Sequence, residues 1–194
     1  MILRLLVVAV FTLTFTLCGC ESKPVFNALD ITGIQGYGSD FRLSDHNGKS
    51  RTMADFRGKV VVMFFGYTHC PDVCPTTLAE MKQVMQILGN DAQRLQVLFV
   101  TVDPARDTPE LLSRYVPSFH PSFLGLYGDT AATEKVAKDF KIAYRIAAGK
   151  TADGYTVDHS AASLVFDTQG NLRLFITYGL AADKIAPDIK KLLQ

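Results

Sequence analysis

Apolar positions along the chain change their spacing several times, and each change marks an element. Lys59-Val-Val-Val-Met-Phe-Phe-Gly66 and Leu95-Gln-Val-Leu-Phe-Val-Thr-Val102 are continuous apolar runs rich in β-branched residues. Runs of that kind predict strands buried on both faces. Between them Leu78, Met81, Val84, Met85 and Leu88 recur at helical spacing. They predict a helix over about 77–88, with Thr77 and Glu80 at capping-box spacing. Thr108-Pro109 starts a second helix, with proline in its favoured first turn. A third helix is predicted over about 130–140 and a final amphipathic one over about 182–193. Hairpins are expected where 41–44 and 50–53 flank Asp45-His-Asn-Gly48, and where 162–166 and 172–176 flank Asp167-Thr-Gln-Gly170.

This order of strands and helices predicts an α/β fold: a thioredoxin-like mixed sheet with helices on both faces and an N-terminal hairpin. A right-handed crossover makes the two buried strands parallel. Residues 1–20 read as a leader, 21–39 as a polar, glycine-containing tether and irregular lead-in, and 40–194 as one domain.

The leader has one basic residue, Arg4, ahead of a run from Leu5 to Leu17 made only of Leu, Val, Ala, Phe and Thr. That is the layout of a secretory signal, and the run is shorter than the roughly 18–20 residues a bilayer requires. Its end, Leu17-Cys18-Gly19-Cys20, resembles the bacterial lipobox. The resemblance implies that Cys20 carries the lipid and becomes the mature N-terminus. A bacterial membrane lipoprotein follows, its folded part in the periplasm; the alternative is an uncleaved anchor. Acyl chains contribute about 0.8 kcal/mol per buried CH2, so several hold a protein at a membrane without a spanning helix.

Lys and Arg number 20 against 19 Asp and Glu. They are scattered, which excludes the basic footprint of a nucleic-acid binder. Of four cysteines, Cys18 departs with the signal and Cys20 is acylated, leaving Cys70 and Cys74 as an isolated dithiol in an oxidising compartment. The pair sits where a buried strand hands over to a helix, whose positive end favours thiolates. Pro71 and Pro75 stiffen the turn. Two soft sulfurs side by side suit Cu(I), zinc or a reversible disulfide. A purely structural bridge across so short a loop would remove little denatured-state entropy.

Among the histidines, His46 falls in a turn and His120 in a Phe-His-Pro loop, where solvated or packing roles are expected. His69 adjoins Cys70, but neighbouring side chains tend to point apart. His159, in Val157-Asp-His-Ser160, precedes a strand expected beside the central one.

Three segments together, Gly66-Tyr-Thr-His-Cys-Pro-Asp-Val-Cys-Pro75, Val102-Asp-Pro-Ala-Arg-Asp-Thr-Pro-Glu110 and Asp158-His-Ser160, resemble the Sco/SenC family in order and spacing. The likeness covers about 41–193. It implies a thioredoxin-like fold in which Cys70, Cys74 and His159 bind copper, as Cu(I) and Cu(II). It also implies delivery of copper to the dinuclear site of cytochrome c oxidase subunit II. A further periplasmic copper chaperone or a thiol reductant are the other partners considered. Asp103 matches a family position near the site and is a candidate for steering a ligand. Asp158 is a candidate for orienting His159 or capping a turn. After Asp-His-Ser the family often shows an aromatic residue and later a proline, where this chain has Leu164 and the 167–170 turn.

The rival is a thiol-disulfide oxidoreductase that reduces the oxidase's copper-site cysteines, with Cys70 as nucleophile and Cys74 as resolving thiol. Against a plain thioredoxin stand the Cys-X-X-X-Cys spacing and the lack of proline between Pro121 and Pro187. A peroxidase of the peroxiredoxin type would place two residues between threonine and the reactive cysteine. Here His69 alone separates Thr68 from Cys70.

Overall fold

The two apolar runs form the middle of the sheet. In a computed structural model, which describes residues 24–148 and 154–194, they are β4 (Val60–Gly66) and β5 (Leu95–Thr101). The leader and Cys20 therefore lie outside the described residues. β4 and β5 pair in parallel from Val60 against Leu95 to Gly66 against Thr101, and every residue of both is buried. The crossover is α1 (Val73–Leu88). From β5 the chain passes through α2 (Pro109–Phe119) into β6 (Leu124–Tyr127), also parallel. α3 (Thr130–Asp139) follows. Thr108 and Asp129 cap α2 and α3 through the N–H groups of Leu111 and Ala132, each satisfying a donor that a helix start leaves open.

On the other side of β4 lie β9 (Ser163–Phe166) and β10 (Leu172–Ile176), both antiparallel to their inner neighbour, and α4 (Ala182–Leu192) closes the chain. The expected N-terminal hairpin is β2 (Leu43–Asp45) with β3 (Ser50–Arg51), and it extends the sheet beyond β6. With β1 (Leu29–Asp30) the full order is β1-β10-β9-β4-β5-β6-β2-β3.

Helices cover both faces. On one, Tyr115 of α2 meets Phe99, and Gly125 of β6 lies so close that a Cβ there would be 3.1 Å from Val116. α1 packs between α2 and α4. On the opposite face Phe140, just after α3, lies against Phe65 and Phe166.

Three local features differ from the sequence reading. First, α1 begins at Val73 rather than 77, so Thr77 and Glu80 lie inside the helix and cap nothing. Pro75 falls in the first turn, where a helix needs no donor, and the chain continues through it. Second, the lead-in is not wholly irregular. Asp188 of α4 accepts the N–H groups of Asn27 and Ala28 at 2.8 Å, and β1 then pairs with β10. Third, β7 (Tyr144–Ala148) and β8 (Tyr155–His159) form a separate two-stranded ribbon. Its outer position explains why it was not predicted: in β8 only Val157 is buried, so no sustained apolar alternation marks the strand.

Candidate metal centre

The cysteine turn leaves the sheet at Gly66, where a Cβ would stand 2.8 Å from Cys74 Sγ and 2.9 Å from Phe99. Only glycine lets the buried sulfur approach the strand this closely. The turn that follows is pinned by Asp107, which is 1 % exposed. Its carboxylate accepts the hydroxyls of Thr68 and Thr101, each at 2.6 Å, and the backbone N–H of Thr68. Burial pushes the Asp107 carboxyl above its ordinary range against the pull of these hydrogen bonds. Sequence reasoning singled out Asp103 in the same segment and missed Asp107. The available signal was the pair of threonine hydroxyls, one beside each buried strand end, that a buried carboxylate would satisfy.

Cys70 and Cys74 are both free, the first half-buried and the second buried. The start of α1 brings them together, because the Cys74 N–H, otherwise an open donor of the first turn, points at Cys70 Sγ 3.4 Å away. The Cys70 thiol is drawn down to about 4. The hydrogen bond from the Cys74 thiol is the main cause, opposed by burial and assisted by His159 and the N–H groups of Asp72 and Cys74. Cys74 is pushed up, first because its proton is shared with Cys70 and then by burial. The shared hydrogen bond therefore makes the first deprotonation of the pair easier and the second harder.

His159 arrives from the other direction, at the end of β8. The next strand pairs Ser163 with Phe64 of β4, which carries the imidazole back to the cysteine turn. Its ring stands edge-on to Phe64 and Tyr67, with centroids 6.0 Å from each. Nδ1 lies 3.0 Å from the Ser160 carbonyl. A carbonyl only accepts, so Nδ1 carries a proton and Nε2 is the ring nitrogen turned to the sulfurs. Nε2 is 3.4 Å from Cys74 Sγ, and it and the two sulfurs all lie within 4.8 Å of one another. Bonds of roughly 2.0–2.3 Å to nitrogen and sulfur separate neighbouring donors by about 3.5–4 Å. The triangle is therefore of a size to surround one ion, and its soft donors fit Cu(I) or zinc.

The remaining candidates lie elsewhere. Asp103 accepts the Tyr155 hydroxyl at 2.7 Å and pairs with Arg106. It touches none of the three donors. Asp158 points across the ribbon to Arg145 at 3.1 Å, while the Ser160 carbonyl holds the His159 ring. The side chains of Asp158 and His159 thus leave the strand on opposite faces, as neighbouring strand residues do. His69 bonds the Thr68 hydroxyl and stays outside the cluster. His46 accepts the Gly125 N–H, and His120 bonds Ser122.

A family model described as SCO1/SenC matches residues 30–194. The chain belongs to the SCO1/SenC family. Human "Protein SCO2 homolog, mitochondrial" is 37% identical over 154 residues, 78% of this chain and 58% of that one; the chain thus spans little more than half the length of this curated relative. Among solved structures, Bradyrhizobium japonicum ScoI with copper bound is 38% identical, with a TM-score of 0.74 over 80% of this chain and 99% of that one. The solution structure of apo Sco1 from Thermus thermophilus is 37% identical, with a TM-score of 0.75 over 88% and 99%. The SCO1/SenC match accounts for the thioredoxin-like fold, and it covers both the dithiol and the histidine ribbon.

Proposed function

We propose that this chain is a copper metallochaperone that holds one copper ion through Cys70, Cys74 and His159 and serves assembly of the dinuclear copper site of cytochrome c oxidase subunit II. One observation carries the reading: a buried sulfur, a half-buried sulfur and an imidazole with its second nitrogen facing them converge within 4.8 Å. The structural relative from Bradyrhizobium japonicum has copper bound. Two thiolates and one imidazole suit Cu(I), and Cu(II) would take a further oxygen or nitrogen donor.

The chain's own groups set the terms of loading and release. Cys70 supplies a ready thiolate, and Cys74 must give up its raised proton for the second bond. Binding therefore releases protons and weakens in acid. Cys70 and His159, both half-buried, are the donors that a recipient's thiolates reach first. Cys74, fully buried, lets go last.

Attachment to the bacterial membrane through lipid on Cys20, with the folded part in the periplasm, completes the proposal. Among the described residues no helix is long and apolar enough to cross a membrane. A second reading, a thiol-disulfide oxidoreductase acting on the oxidase's copper-site cysteines, has its own support. A half-buried thiol at about 4 beside a buried one is the arrangement of an attacking and a resolving cysteine. The deciding experiment incubates the copper-loaded full-length chain, in mild detergent, with copper-free subunit II while metal and thiol states are followed together. With the recipient's thiols reduced, the chaperone predicts copper transfer; no transfer there, together with reduction of a recipient supplied as its disulfide while the copper-free chain's Cys70 and Cys74 become a disulfide, would select the oxidoreductase.

A further inference from the structure

The turn from Asp103 to Asp107 touches both segments that carry the donors. On the cysteine side Asp107 grips Thr68. On the histidine side Arg106 and Asp103 grip Tyr155, the first residue of β8, whose last residue is His159. The Arg106 guanidinium lies 3.6 Å from the Tyr155 ring centroid and 5.7 Å from that of Tyr67. Its Nη1 donates to the Tyr155 carbonyl at 3.0 Å, and its Nε donates to Asp103. The Tyr155 hydroxyl closes the ring of contacts by donating to Asp103. Nη2 is buried and has no hydrogen-bond acceptor among the described residues. The aromatic faces are its surroundings, which a planar, weakly hydrated cation tolerates better than a strongly hydrated ammonium.

β8 needs such a hold. Among the described residues it pairs with β7 alone, and an isolated two-stranded hairpin is marginal in water. We propose that Arg106, together with Tyr155, is a latch that fixes the β7–β8 ribbon to the Asp103–Asp107 turn and so positions His159 over the two sulfurs. This rests on reading the three donors as a copper centre. Arg106 touches none of those donors and is a positioning residue.

The test uses the full-length chain in detergent, with Arg106→Gln and Tyr155→Leu made in both the wild-type and His159→Ala backgrounds. Copper affinity is read by competition with a chelator, and amide hydrogen exchange is read on the copper-free protein. In the wild-type background either substitution lowers copper affinity about 10- to 100-fold, the range for residues that orient a ligand. In the His159→Ala background the same substitutions change it less than about twofold, since the latch acts only through that imidazole. Exchange quickens in β8 and stays slow in β4 and α1. Equal losses in both backgrounds, or exchange in β8 as slow as in wild type, would overturn the latch. Failure of the wild-type chain to take up copper would instead sink the metal reading, and the exchange pattern would still decide the latch.

Discussion

Cys74 is fully buried under the end of β4, whereas His159 stands half-buried at the end of a two-stranded ribbon. The sulfur half is held by the core itself: the strand above it, the close approach at Gly66, and Asp107 with two threonine hydroxyls. The nitrogen half is held by a carbonyl, two aromatic edges and the Arg106–Tyr155 contact. Such a division lets thiol chemistry and metal affinity vary separately. Changes on the core side should alter both, and changes on the ribbon side should alter mainly metal binding.

The strongest way to break that comparison is Cys74→Ala. It removes one of the three proposed donors and also the main cause of the low Cys70 pKa. Copper affinity should fall by more than about 100-fold, beyond the range seen for outer partners. The pH midpoint of Cys70 alkylation should climb from about 4 towards the ordinary thiol value of 9.0. The same shift gives the sign for stability. The lowered Cys70 pKa contributes stability that is lost as pH falls through about 4, and above the ordinary thiol range the raised Cys74 works the other way.

His159→Ala should separate the halves. Copper affinity should fall at least about tenfold. The Cys70 alkylation midpoint should rise only slightly, because the hydrogen bond with His159 contributes less than the one with Cys74. A midpoint that moved as far as in Cys74→Ala would show the two halves to be one unit.

Gly66→Ala probes the core side without removing a donor. The added Cβ meets Cys74 Sγ at 2.8 Å and Phe99 at 2.9 Å, and overpacking of this kind costs about 1–3 kcal/mol. Thermal unfolding should show that loss, and both copper affinity and thiol reactivity should change with it. Smallest is Asp158→Ala, which breaks an exposed pair with Arg145 worth at most about 1 kcal/mol. Copper affinity should stay within about twofold of wild type. A larger drop in a chelator competition would give Asp158 a role that its outward direction denies.

How far each half could be read from sequence follows the same division. β4, β5 and α1 were legible because burial on two faces, or on one helical stripe, leaves an unbroken record in residue type. The dithiol announced itself by position. His159 as a partner came from the Asp158-His-Ser160 resemblance, since β8 buries only Val157 and leaves no periodic trace of the strand. Asp107 escaped notice because a polar residue after a strand looks the same whether it caps a turn or grips a neighbouring loop. Arg106 escaped for a similar reason, its partner Tyr155 lying 49 positions away in sequence. The onset of α1 was misplaced because Pro75 suggested a boundary where it in fact occupies a first turn.

X-ray absorption at the copper edge, on the full-length chain loaded with one equivalent of Cu(I), tests the central claim most directly. The account predicts two sulfur neighbours and one imidazole nitrogen, with the imidazole signal lost in His159→Ala. A shell with one sulfur or none, or an imidazole signal that survives that substitution, would contradict it.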